Sequence, residues 1–290
     1  MQRYDNFLSE LDVWKASHIV PRPQLIPKFA NLTVIRLIMK MPFRKNTLIL
    51  LVAQVMILSF YGCNNEDPND LHAYYFPYES YKNGVVLEYR PDKIPELGNE
   101  YWYMKSFTDS GRQYLITQIF DDQLRFQQYI LEEYVSNGIL ARELRMLRRT
   151  DDTSAMLLID IEQNGVFPLT FKDSLTRYIY EISWQDPIDS LEYQLIRNRR
   201  LTHREDRMFL GKLRPAWHTE ILEELKTTSE GSTLSSWSGK EWYAKDIGLV
   251  YFRKQITAQF ERSYYLHKIH AWEDFEERIG PALVQPEMDN

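Results

Sequence analysis

The sequence predicts a mainly β fold, an antiparallel meander with one wet and one dry face, and three observations carry that prediction. Aromatic and β-branched residues come in short runs, with 19 tyrosines against only 11 glycines and 14% aromatic residues overall. Residues suited to tight turns separate those runs at short intervals. Within several runs the side chains alternate between apolar and polar, the period of a half-buried strand.

In chain order, strands are expected over residues 73–81, 84–89, 100–107, 112–120, 124–135, 139–148, 155–162, 176–184, 192–202 and 240–252. Lys82-Asn83-Gly84, Asp109-Ser110-Gly111, Ser136-Asn137-Gly138, Gln163-Asn164-Gly165 and Asp186-Pro187 supply the turn chemistry between them. Connections this short imply antiparallel neighbours. Residues 176–184 show the alternation best: Tyr178, Tyr180, Ile182 and Trp184 share one side and Arg177, Glu181 and Ser183 the other, with Ile179 the exception. Two segments, 124–135 and 216–228, fit either element, because Trp217, Ile221 and Leu225 satisfy a helical stripe and a strand face equally.

The single cysteine excludes an internal disulfide and any zinc site built from several thiolates. Upstream of Cys63 an uncharged apolar run of 14 residues, Thr47 to Phe60, follows Lys40, Arg44 and Lys45, the layout of a basic region and apolar core in a secretory signal. As a helix it would span about 21 Å, short of a hydrocarbon core of about 30 Å, so cleavage is expected rather than a lasting span. The residues Ser59-Phe60-Tyr61-Gly62-Cys63 resemble a bacterial lipoprotein signal with its lipobox, with Tyr61 bulkier than the small residue usual there. That resemblance implies a diacylglycerol thioether and an acyl chain on Cys63 as the only covalent additions, with no other cofactor. Several chains on one cysteine hold stably where one alone is marginal.

The stretch Gly239-Lys-Glu-Trp-Tyr-Ala-Lys-Asp-Ile-Gly-Leu-Val-Tyr251 and the upstream Phe209-Leu-Gly-Lys212 resemble segments of uncharacterised Bacteroidota outer-membrane lipoproteins. Their fold, by that resemblance, is a LolA- or LppX-like β half-barrel: a single curved antiparallel sheet with few short helices, preceded by a signal-peptide helix. It tips residues 216–228 toward strand. The organisation expected is an upstream extension not native to the protein at 1–38, a signal peptide at 39–62 starting at Met39 or Met41, a tether at 63–71, an antiparallel β domain at 72–280 and a tail at 281–290. The acidic pair Glu66-Asp67 resembles short export signals of such lipoproteins, and the expected location is the cell envelope, lipid-anchored in the outer membrane, with the leaflet open.

Removing the first 62 residues takes away 8 basic and 3 acidic side chains and leaves 228 residues with 27 basic against 38 acidic, a balance of −11 where the whole chain has −6. An acidic body repels phosphate backbones, so no nucleic-acid partner is expected. Arg197, Arg199, Arg200 and Arg204 form the one basic cluster and read as a solvated strand face. The carboxylate pairs Glu132-Glu133 and Glu223-Glu224 read as solvated too, and His267 and His270 diverge if they lie on a strand. Asp173-Ser174-Leu175 and Asp189-Ser190-Leu191 match a short acceptor pattern for O-glycosylation in Bacteroidota. Dinucleotide, phosphate-loop, nucleophile-elbow and zinc-protease motifs are missing from the sequence. The chain is therefore expected to be no enzyme, with no catalytic residue and no metal site. The residues expected to line a ligand site are Trp102, Tyr178, Tyr180, Trp184 and Trp242. The function expected is binding of a hydrophobic or lipid-like small molecule in a concave sheet. The alternative is a structural or interaction subunit of an envelope complex, with an envelope protein as partner.

Overall fold

The computed structural model describes residues 67–149, 154–187, 189–228, 232–256 and 260–284. The chain divides into two compact units, Met1–Asn65 and Glu66–Asn290, and every described residue belongs to the second. The expected upstream extension, signal helix and Cys63 lie outside the described residues.

Among the described residues thirteen strands follow one another: β1 Val85–Pro91, β2 Glu100–Asp109, β3 Arg112–Phe120, β4 Phe126–Val135, β5 Gly138–Arg149, β6 Ser154–Leu158, β7 Asp160–Pro168, β8 Tyr178–Gln185, β9 Glu192–Phe209, β10 Lys212–Thr228, β11 Ser232–Ala244, β12 Gly248–Gln255 and β13 Glu261–Ala271. Consecutive strands pair antiparallel except β6 and β7, which both pair with β5, and β13 pairs with β1 from Ala271 opposite Val85 to Tyr264 opposite Pro91. The short β6 lies on the end of β5, while β7 takes over at the other end of β5 and carries the sheet to β8. Ile159 joins the two and donates its N–H to the Leu144 carbonyl at 2.9 Å. The result is a closed twelve-strand barrel, which corrects the expected open half-barrel. The two edges that an open sheet would leave are the first and last strands of the chain, and each satisfies the other's backbone groups.

The alternation sorts side chains between the inside and the outside. Leu87, Tyr89, Met104, Leu115, Ile139, Tyr180, Ile182, Leu201, Tyr243 and Tyr264 are buried inside. On the outside, β1 to β4 carry a second apolar cluster of Val86, Tyr103, Ile116, Phe120, Tyr129 and Leu131. The C-terminal segment covers it. A 3-10 turn at Trp272–Asp274 and one α-helical turn, α1, at Glu276–Ile279 lay Trp272, Phe275 and Ile279 on these strands. Gln118 fastens the segment by donating to the Val284 carbonyl and accepting from its N–H, each at 2.8 Å.

A twelve-strand barrel is wider than its own inward side chains can fill, and the chain fills one end with a piece of itself. Residues 73–81, expected to be a strand, form 3-10 turns at His72–Tyr74 and Glu79–Tyr81 that plug the lumen. Leu71, Tyr74, Tyr75, Phe76 and Tyr81 are all buried there. Three consecutive buried aromatics cannot sit on a strand with one wet face, so the plug takes up a segment that the pleat could not.

Other expectations hold or shift for local reasons. Residues 124–135 and 216–228 are strands, within β4 and β10. Gln163-Asn164-Gly165 is no turn; it runs through β7, where a side chain at Gly165 would meet the Ile179 carbonyl at 3.2 Å. The single run over 240–252 is two strands reversed at Lys245 to Ile247, with Asp246 at φ 62° and Gly248 at φ 97°. A Cβ on Gly248 would lie 2.4 Å from the Phe76 ring, so this glycine admits the plug.

Candidate functional site

Bonds from tyrosine hydroxyls to main-chain carbonyls hold the plug at one end of the barrel. Tyr81 of the plug donates to Ile247 at 3.2 Å and Tyr134 of β4 donates to Phe76 of the plug at 2.7 Å, while beneath it Tyr89 of β1 donates to Leu249 of β12 at 2.8 Å. Tyr75 sits at the centre, 5.0 Å from the rings of Phe76 and Phe167 and 6.2 Å from that of Tyr243. Its hydroxyl donates to Glu132 Oε2 at 2.8 Å. Burial pushes the Glu132 carboxyl up to about 7, with the Tyr75 hydrogen bond and the Arg199 charge pulling the other way. Beside it Arg199, itself buried, donates to Glu241 at 3.1 Å, and Glu241 accepts the Tyr243 hydroxyl at 2.8 Å. Against its burial, the Glu241 charge holds the Arg199 guanidinium protonated.

Toward the other end the lumen opens into a cavity of about 960 Å³. Its apolar wall includes Trp102, Ile130, Met146, Ile221, Leu249 and Phe252. Trp102 lies 4.8 Å from the Tyr89 ring and 5.7 Å from Phe252, and its Nε1 donates to Glu100 at 3.1 Å. Near the mouth the inward positions turn ionic. Glu223 is buried between Arg197 and Lys254 and forms an ion pair with each. Those two charges, acting against burial, hold its carboxyl down at about 2. Glu100 pairs with Arg262, and Lys254 lies 4.4 Å over the Trp237 ring. The residues lining the cavity carry six lysines and arginines against four carboxylates, a local cationic excess in a chain of net charge −6.

Of the five residues that the sequence nominated, Trp102 lines this cavity. Tyr180 is buried in the core, with its phenol pushed up to about 12 by burial, and Tyr178 packs half-buried against the same core. Trp184 stacks on Tyr193 at 5.2 Å and lines a separate hollow of about 340 Å³ with Lys226 and Thr228. Trp242 is placed differently from expectation. It lies between Glu241 and Tyr243, which both point inward, so its indole faces out. There Tyr251 stacks on it at 4.5 Å and the Arg207 guanidinium lies 3.7 Å above it.

Arg197, Arg199, Glu132 and Glu223, expected to be solvated, lie inside the lumen. Arg197 and Arg199 share the inward phase of Leu195 and Leu201 on β9, and that phase was the available signal. Of the adjacent carboxylates, Glu132 points in to Tyr75, and Glu133 points out, buried against Arg142 at 2.5 Å. His267 and His270 lie on β13, with His270 2.9 Å from Glu88 and His267 against the Tyr265 ring.

No protein-family model and no curated protein matches the chain. Two crystal structures are similar. One, a "putative lipoprotein" from Parabacteroides distasonis, aligns at 12% identity and a TM-score of 0.46, covering 70% of this chain and 100% of that one. The other, a "putative exported protein with YmcC-like fold" from Bacteroides fragilis, aligns at 12% identity and a TM-score of 0.37, covering 68% of this chain and 99% of that one. Likenesses at these scores transfer neither ligand nor activity nor location.

Proposed function

We propose that the protein is a non-enzymatic binder of a hydrophobic or lipid-like molecule, held in the outer membrane through a lipidated Cys63. The observation that carries the binding reading is the lumen. It is a cavity of about 960 Å³, closed at one end by the protein's own tyrosines and open at the other. That volume falls at the upper end of the range of about 300–1,000 Å³ for small-molecule sites. Trp102, Phe252, Ile130 and Met146 offer the apolar surface that an acyl chain needs. The cationic excess, with Arg197 and Lys254 around Glu223, favours a carboxylate or phosphate head group at the mouth. The cysteine and the apolar run before it carry the anchoring reading, by sequence alone.

The test is extraction and binding. Organic extraction of the purified chain is expected to release an amphiphile visible by mass spectrometry, and a fluorescent fatty acid is expected to bind. Met146→Trp should fill the cavity and abolish binding while leaving the thermal midpoint in place. Lys254→Met should weaken an anionic probe by roughly tenfold, about 1.4 kcal/mol, and leave its neutral alcohol analogue unaffected. A chain that yields no extractable lipid and binds neither probe is not a lipid binder.

A further inference from the structure

The β9–β10 hairpin runs past the end of the barrel. On one side β8 pairs with β9 no further than Arg199, and on the other β11 pairs with β10 no further than Ala216. Residues 206–214 therefore stand as a two-stranded ribbon around the turn at Leu210-Gly211. Two-stranded ribbons are marginal in water, yet this one exposes large apolar side chains. Met208 is 63% exposed, Leu210 43% and Leu213 65%, with Met208 directly opposite Leu213. Beside them Arg204 bonds the Tyr74 hydroxyl, Arg207 pairs with Glu205 over the Trp242 ring and Arg214 bonds the Lys245 carbonyl and Asp246, while Lys212 is exposed at the turn.

The end from which the ribbon projects is the plugged one. Asp70 bridges Thr170, Leu71 donates to the Leu169 carbonyl at 3.0 Å, Asp246 donates to Ala73 at 2.6 Å and Lys245 to Pro215 at 2.9 Å. The chain thus enters the barrel beside the base of the hairpin. Leu175, 77% exposed in the connection from β7 to β8, lies at this end too. Cys63 is seven residues before Asp70, and the apolar run 47–60 lies just upstream. Seven residues reach at most about 25 Å. The four steps from Asp206 to Leu210 project about 13 Å along a strand.

We propose that the hairpin tip is a second membrane contact: Met208, Leu210 and Leu213 insert at the bilayer surface, and Lys212 beside them meets an anionic head group. An apolar tip carrying an exposed lysine suits the interface, where burial of apolar area is the main contribution and attraction for anionic lipid adds to it. The same arrangement turns the mouth of the lumen away from the bilayer that holds the protein. The inference takes the membrane attachment proposed above as its premise, and its test reads the two separately.

Leu210→Cys and Leu234→Cys, the latter 68% exposed at the opposite end, are made in the full chain, labelled with an environment-sensitive dye and reconstituted in vesicles of phosphatidylcholine and phosphatidylglycerol. Vesicles with brominated acyl chains should quench the dye at 210 about twofold or more and leave 234 unchanged. The intact mass of the same preparation reports whether Cys63 is acylated. A chain without acylation refutes the anchor; it is remade with Cys63→Ser, so that the dye sits only at 210 or 234, and mixed with the vesicles directly, so that position 210 is still read against 234. Quenching at neither position, or equally at both, overturns the proposal whatever the state of Cys63.

Discussion

The two ends of the barrel are held by different chemistry. At the plugged end, buried phenols donate to main-chain carbonyls and to two carboxyls, Glu132 and the Arg199-paired Glu241, and five plug residues, four of them aromatic, are withdrawn from water. At the mouth, carboxylates pair with arginines and a lysine around an open cavity. Neutral hydrogen bonds within a packed aromatic core fix one arrangement and leave no room. Ion pairs beside water hold side chains in place and still leave charge to offer a ligand. Stability is thus expected to depend more on the plug, and the binding proposed above on the mouth.

The largest test of that assignment is Tyr75→Ala. The change removes a ring packed on Phe76, Tyr134, Phe167 and Tyr243 and strips Glu132 of its hydroxyl donor. A loss of about 3–5 kcal/mol is expected, seen as a lower urea midpoint. Trp102→Ala at the mouth, half-buried beside a cavity, should cost under about 2 kcal/mol. Equal losses from the two would erase the distinction.

A smaller contrast uses one isosteric change at both ends. Glu223→Gln leaves Arg197 and Lys254 without their counter-charge and should cost about 2 kcal/mol at pH 6. At that pH Glu132, raised to about 7, already carries its proton, and Glu132→Gln keeps an acceptor for Tyr75. Its cost should stay within about 1 kcal/mol. Chemical denaturation of the two variants side by side checks the pair; a Glu132 variant weaker than the Glu223 variant would reverse the reading of which carboxylate is charged.

How much of this the sequence disclosed follows from the range of each signal. β3 was read at its observed limits, 112–120, because Asp109-Ser110-Gly111 and the alternation are local. β13 went unread. Tyr264 and Leu266 point inward, but the next inward contact is Ile269 opposite Leu87, since the register shifts between Glu88 and Tyr89 and breaks the period. Closure had no local signal at all, because an open sheet and a barrel share one alternation and differ only in whether Val85 meets Ala271. The site suffered from the same limit. Arg197, Glu223 and Lys254 lie far apart in sequence and become a mouth only once β9, β10 and β12 share one lumen. Trp242 was nominated for its chemistry, but its phase between Glu241 and Tyr243 put it outside.

The smallest effect is a balance of two opposed titrations. Burial raises Glu132 from 4.5 to about 7, so the folded chain holds that proton more tightly than the unfolded chain. Its contribution is complete below about pH 4.5 and is lost as pH rises through 7. His218, on β10, runs the other way. Burial, with His203 beside it, lowers its imidazole from 6.5 to about 4, so its contribution is complete above about pH 6.5 and is lost as pH falls through 4. Between about pH 4.5 and 6.5 the two slopes, each at most about 1.4 kcal/mol per pH unit, cancel in large part. Thermal midpoints of the native chain should therefore change little across this window. Glu132→Gln should leave a stability that rises with pH, and His218→Gln one that falls. Parallel profiles for the two variants would mean that the plugged end does not keep its carboxyl protonated, and the contrast with the ionised mouth would fail at its clearest point.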